Sequence, residues 1–87
     1  MNPTDREIND YRNRQRELDR AINNAKARKR EVQRARDIAR RMNHDRDAVR
    51  HGEELKSIDK EIQNHVANKR SLDRSIAEAK SRQRRAR

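Results

Sequence analysis

Residues 32–55 read VQRARDIARRMNHDRDAVRHGEEL, and the fold turns on how this stretch is spaced. Apolar or small residues stand at Val32, Ala35, Ile38 and Met42, and again at Val49, Gly52 and Leu55. Outward on the N-terminal side the stripe continues through Ile8, Tyr11, Gln15, Leu18, Ile22, Ala25 and Lys29. On the C-terminal side it continues through Ile58, Ile62, His65, Lys69, Leu72, Ile76 and Ala79. The steps alternate between 3 and 4, the a/d pattern of a coiled-coil helix, with polar lapses at Gln15, Lys29, His65 and Lys69. Two joints, Val32 to Ala35 and Gly52 to Leu55, step by 3 where 4 is due. Opposite members of the stripe have residue numbers adding to 87, and the two irregular joints then face each other. That symmetry centres between Asn43 and His44 and predicts two antiparallel helices.

The expected architecture is therefore all-α: an antiparallel two-helix hairpin, coiled-coil-like, which oligomerises into a helical bundle. Its helices are expected at 4–42 and 46–84, its turn at 43–45, and a basic end at 80–87, all within one domain spanning 1–87. A turn at Gly52 is the competing reading, but it leaves the mirrored joints without a reason. Thr4 and Glu7 have capping-box spacing next to Pro3. Arg40 and Arg41 suit a helix C-terminus, Asp45 and Asp47 a helix N-terminus, and Asn43 or Asp45 is the expected cap of the second helix. The expected helix–helix interface comprises Ile8, Tyr11, Leu18, Ile22, Ala25, Val32, Ala35, Ile38, Val49, Gly52, Leu55, Ile58, Ile62, His65, Leu72 and Ile76. Gly52 is expected against Ala35, a close small-on-small contact.

Composition narrows the rest. The 87 residues hold one aromatic residue, one Gly, one Pro and no Cys, and 46% of them are charged. Sandwiches, barrels and doubly wound sheets need β-branched and aromatic residues with turn glycines, and disulfide or zinc-ribbon scaffolds need cysteines. No apolar run is long enough to span a membrane, and no apolar h-region follows Met1, so an intracellular location is expected. Low hydrophobicity with a net charge of +10 overlaps the range of disordered chains; the periodicity is what argues for helices.

Residues 5–30 (DREINDYRNRQRELDRAINNAKARKR) align without gaps on 59–84 (DKEIQNHVANKRSLDRSIAEAKSRQR), offset by 54, with twelve of 26 positions identical. Duplication of a single-helix segment would relate the two helices by a pseudo-twofold. The basic run at 26–36 is expected beside the acidic run at 51–61.

Site chemistry is sparse. His44, His51 and His65 lack the i,i+4 spacing of a helical metal pair, no nucleophile motif or phosphate loop occurs, and no cofactor is expected. The function expected is that of a non-enzymatic interaction module acting through coiled-coil packing with itself or with a larger helical protein. The alternative is a sequence-nonspecific nucleic-acid binder. It would use Lys80, Arg82, Arg84, Arg85 and Arg87, because Arg grips phosphate through paired donors. Neither a membrane nor a small-molecule substrate is an expected partner.

Overall fold

The computed structural model describes residues 2–86. Two helices, α1 (Pro3–Arg41) and α2 (Asp45–Arg85), fold back on each other as an antiparallel hairpin 67 × 17 × 11 Å in extent. The N-cap of α1 lies two residues earlier than its capping-box spacing predicts. Asn2, not Thr4, is the N-cap: its side-chain Oδ1 accepts the Asp5 N–H at 2.8 Å. The reason lies in Pro3. With Asn2 as cap, Pro3 takes the first helical position, where its missing N–H leaves no intrahelical bond unmade and its fixed φ is already helical.

The reversal falls where the symmetry centre places it. Asn43 adopts φ 58°, a left-handed conformation that Asn tolerates better than most residues. The His44 N–H donates to the Ala39 carbonyl at 2.8 Å and the Asn43 N–H to Arg40 at 3.2 Å, which together close α1 in a Schellman motif. Helix α2 has His44 as its N-cap, with no side-chain capping bond, so neither Asn43 nor Asp45 fills that role. Asp45 and Asp47 lie in its first turn and Arg40 and Arg41 in the last turn of α1, each complementing the local helix dipole.

The seam departs from expectation near the turn. Ile38 and Val49 are not interface residues: they are 58% and 66% exposed, and Met42 is 61% exposed. Ala39 is buried instead, Arg36 and Ala48 are half-buried, and so is His51. The burial therefore follows Lys29, Val32, Arg36, Ala39 on α1 and Ala48, His51, Leu55, Ile58 on α2, alternating 4 and 3 without a break. The reason is geometric. Following Val32, Ala35 and Ile38 would need successive steps of 3, which overwind a helix, whereas an unbroken heptad keeps one stripe facing its partner. Helix phase overrides local apolarity there. The aliphatic stem of Arg36 accommodates this, lying along the seam as long cationic side chains do.

Gly52 does not make the close contact expected of it. A Cβ built there would meet nothing within 4 Å, so the glycine faces open space rather than Ala35. Further from the turn, Ile8, Ile76 and Ala79 form one buried cluster with Tyr11 packed on it.

Two outcomes follow. Gly in a helix interior costs about 0.5–1 kcal/mol relative to Ala, so Gly52→Ala is expected to stabilise the hairpin by about that much in urea denaturation. Val32→Cys with Leu55→Cys is expected to oxidise to a disulfide within one chain, seen as faster migration on a non-reducing gel, while Val32→Cys with Leu72→Cys stays reduced.

Candidate functional site

With Ile8 and Ile62 as heptad position a, the seam positions are a and d. Flanks e and b lie on one face of the hairpin, flanks g and c on the other, and f runs along the two outer edges. Of the expected interface residues, Ile8, Ile22, Ala25, Leu55, Ile58 and Ile76 are buried. Tyr11, Leu18, Val32, Ala35, Gly52, Ile62, His65 and Leu72 are half-buried. Ile38 and Val49 lie outside the seam. Ala39 and Arg36, both overlooked by an apolar reading, were findable by extending the heptad unbroken past Val32.

The polar lapses in the seam have dedicated partners. Gln15 donates from Nε2 to Asp73 Oδ1, and Lys69 donates from Nζ to Asp19 Oδ1. Lys29 Nζ lies 2.7 Å from Asp59 Oδ1, and Gln83 Nε2 donates to Asp5 Oδ1 at 2.6 Å. In every case a long polar side chain at position a meets an aspartate at position e of the opposite helix. On the other flank, g meets g: Arg28 Nη2 donates to Glu61 at 2.6 Å and Arg82 Nη2 to both Glu7 oxygens at 3.0 and 3.1 Å. The Tyr11 hydroxyl also donates to Glu7, at 2.9 Å, and His65 Nε2 lies 3.8 Å from Glu61.

These contacts come in symmetric pairs. Adding 54 to one partner and subtracting 54 from the other converts Gln15–Asp73 into Lys69–Asp19, Lys29–Asp59 into Gln83–Asp5, and Arg28–Glu61 into Arg82–Glu7. Tyr11–Glu7, a contact within one helix, becomes His65–Glu61 when 54 is added to both partners. The sequence repeat is thus a spatial pseudo-twofold, its axis crossing the hairpin beside Arg16 on α1 and Arg70 on α2.

Of the basic residues expected to hold a polyanion, Lys80, Arg84 and Arg85 are exposed, Arg82 is committed to Glu7, and Arg87 lies outside the described residues. Along the e/b face run three shallow grooves. One is lined by Ile8, Arg12 and Lys80, a second by Ile22, Lys26, Val66 and Arg70. The third and largest, about 710 Å³, lies at the turn end around Arg36, Arg40, Val49 and Gly52. Arg36 Nε is buried there without a hydrogen-bond partner. No group of three or more His, Asp or Glu residues able to hold a metal occurs among the described residues, and no described helix is long and apolar enough to cross a membrane.

Set beside known families, curated proteins and solved structures, the chain matches none of them.

The contacts fix the pH response. The Tyr11 hydroxyl and the Arg82 guanidinium both favour the Glu7 carboxylate and hold its pKa below the ordinary 4.5. Asp19 holds the Lys69 ammonium above its ordinary 10.5. A depressed carboxylate stabilises the fold above its unfolded pKa and loses that contribution as pH falls through the folded value. A raised ammonium stabilises below its unfolded pKa and loses the contribution as pH rises through the folded value. Melting followed by circular dichroism is therefore expected to weaken below about pH 4.5 and above about pH 10.5. Glu7→Gln should blunt the acid limb and, because Glu7 also holds the pKa of the Tyr11 hydroxyl above its ordinary 10.0, part of the alkaline limb, whereas Lys69→Gln should blunt the alkaline limb alone.

Proposed function

We propose that the chain is a non-enzymatic helical interaction module that packs, by coiled-coil contact, against a second copy of itself or a helical partner protein. The observation that carries this reading is the fate of the apolar stripe near the turn. Among the described residues the large apolar side chains left more than half exposed are Ile38, Met42 and Val49, and all three lie in the turn-side third, outside the repeat. Ile38 and Met42 are one helical turn apart at positions c and g, so they share a side; Val49 lies toward the other face. The internal seam covers neither.

The shape supports the same reading. A compact protein of 10.5 kDa exposes about 5,400 Å² by the usual scaling of surface with mass, whereas this hairpin exposes 6957 Å². Two helices shield each other along a single stripe only, and hairpins of this kind gain stability by pairing into bundles.

Sedimentation equilibrium at 10–200 µM in nuclease-treated material tests the self-packing form. The expected mass rises above the 10.5 kDa of one chain across that range. Changing Ile38, Met42 and Val49 together to Ser should return it to one chain with helicity retained, since exposed side chains contribute within about 0.5 kcal/mol to the fold. A wild-type mass fixed at one chain throughout removes self-packing and leaves a partner protein as the remaining form of the proposal.

A further inference from the structure

The repeat's twelve identities sort by what the side chains touch. Four are seam residues: Ile8/Ile62, Leu18/Leu72, Ile22/Ile76 and Ala25/Ala79. Four more make the cross-helix contacts described above: Asp5/Asp59, Glu7/Glu61, Asp19/Asp73 and Arg28/Arg82. Three of the remaining four are Arg16/Arg70, Lys26/Lys80 and Arg30/Arg84. All six of these cations are exposed, and none forms an ion pair among the described residues. All six also fall at positions e and b, on one face. The last pair, Arg20/Arg74, lies on the outer edges. Other exposed positions differ freely between the copies, as Asn9 does from Gln63, Asn13 from Ala67 and Asn23 from Ala77. Internal contacts account for the first eight identities and leave the three cation pairs without a reason inside the hairpin.

Their spacing supplies one. Lys80 and Arg84 lie at the open end, Arg16 beside Arg70 at the pseudo-twofold, and Lys26 with Arg30 beyond it. At a rise of 1.5 Å per residue the three clusters stand about 17 Å apart along the face. The two backbones of a DNA duplex cross one side of it twice per helical turn of about 34 Å, on average every ~17 Å. A duplex also carries twofold axes perpendicular to its length, relating its antiparallel strands. The hairpin carries a pseudo-twofold of the same kind, relating its antiparallel helices.

The aspartates on this face do not oppose such a ligand as a bare count suggests. Asp19 and Asp59 are neutralised by Lys69 and Lys29, Asp5 and Asp73 accept from Gln83 and Gln15, and the face's other two aspartates, Asp37 and Asp45, stand toward the turn, beyond the three clusters. The opposite face, positions g and c, carries eight carboxylates against five arginines, two of these held by Glu7 and Glu61, and so would repel the same ligand.

We propose that the e/b face, through Arg16, Lys26, Arg30, Arg70, Lys80 and Arg84, binds the phosphate backbones of duplex DNA without reading base sequence, twofold on twofold. This surface takes Lys80 and Arg84 from the C-terminal end and adds four cations from elsewhere on the face. It is separate from the side chains of the packing reading, since Ile38 and Met42 lie on the other side and Val49, at b, lies toward the turn beyond the three clusters. Single-strand stacking has no part in it, since the chain's one aromatic residue, Tyr11, is half-buried and occupied with Glu7.

Fluorescence anisotropy of the full chain with a labelled 30-base-pair duplex tests it. Six phosphate contacts imply a slope of log K on log salt of about −5, or about 10³-fold between 50 and 200 mM. Changing all six cations to Gln should weaken binding at 50 mM at least 100-fold and flatten the slope, with helicity unchanged by circular dichroism. Changing six edge cations instead (Arg6, Arg20, Arg34, Arg41, Lys60 and Arg74) should leave the slope near −5. The twofold adds a stricter demand: Lys26→Gln with Arg30→Gln must weaken binding within about threefold of Lys80→Gln with Arg84→Gln. A loss confined to the second pair would make the C-terminal end the contact and overturn the proposal. So would an edge variant that loses as much as the face variant, or a wild-type chain that does not bind at 50 mM.

Discussion

Each helix of this protein has a single neighbour, and most of the architecture follows from that constraint. A helix in a larger bundle can bury a broad apolar sector, but a helix in a lone hairpin buries one stripe about two positions wide per heptad. Here even that stripe is interrupted by Gln15, Lys29, Lys69 and Gln83. Polar groups at seam positions weaken a coiled coil and, in exchange, fix its register, because they are satisfied in one alignment only. The aspartates at position e provide that alignment. Sliding α2 by one heptad would carry Asp73 away from Gln15 and Asp59 away from Lys29 at once. The surface ion pairs on the g flank add little energy singly, but they repeat the same register.

The pseudo-twofold explains how one solution serves both helices. An antiparallel pair of identical segments is isologous: whatever residue i offers residue j, j offers i in return. A segment carrying a polar residue at a and an aspartate at e therefore satisfies both partners with one pattern. Lys and Gln exchange across the symmetry (Gln15 for Lys69, Lys29 for Gln83), because either reaches the aspartate from position a. Tyr11 and His65 likewise exchange, each one turn from its glutamate.

The turn-side third obeys no such symmetry, and it holds the features that fit the hairpin least. Ile38, Met42 and Val49 are more than half exposed, Gly52 faces open space inside a helix, and Arg36 has a buried Nε without a hydrogen-bond partner. Local choices that contradict a stable hairpin gather where residues serve something other than the hairpin. The same logic applies to the cations of the e/b face, which match between the repeats and form no ion pair among the described residues. Interior packing lies at a and d and the matched cations at e and b, so one can be altered without disturbing the other; Ile38 and Met42, at c and g, stand apart from both.

Much of this was legible in the sequence. The 3–4 spacing defined helices, because a helix brings residues at those intervals to one side whatever surrounds it. The mirrored stripe located the reversal between Asn43 and His44, and the basic run at 26–36 does lie against the acidic run at 51–61, through Arg28–Glu61 and Lys29–Asp59. Three matters needed the tertiary structure. Apolarity marks a seam only where its residues are apolar, so the path through Arg36 and His51 was hidden, and Ile38 and Val49 stood in for it. The N-cap moved to Asn2 because Pro3 is best used inside the helix. The meaning of the repeat also waited on the fold, since an offset of 54 residues becomes a symmetry only when two chain directions are laid side by side. Spacing along the chain determined what each helix could present; the phase and register of two helices together decided which side chains meet and which remain free.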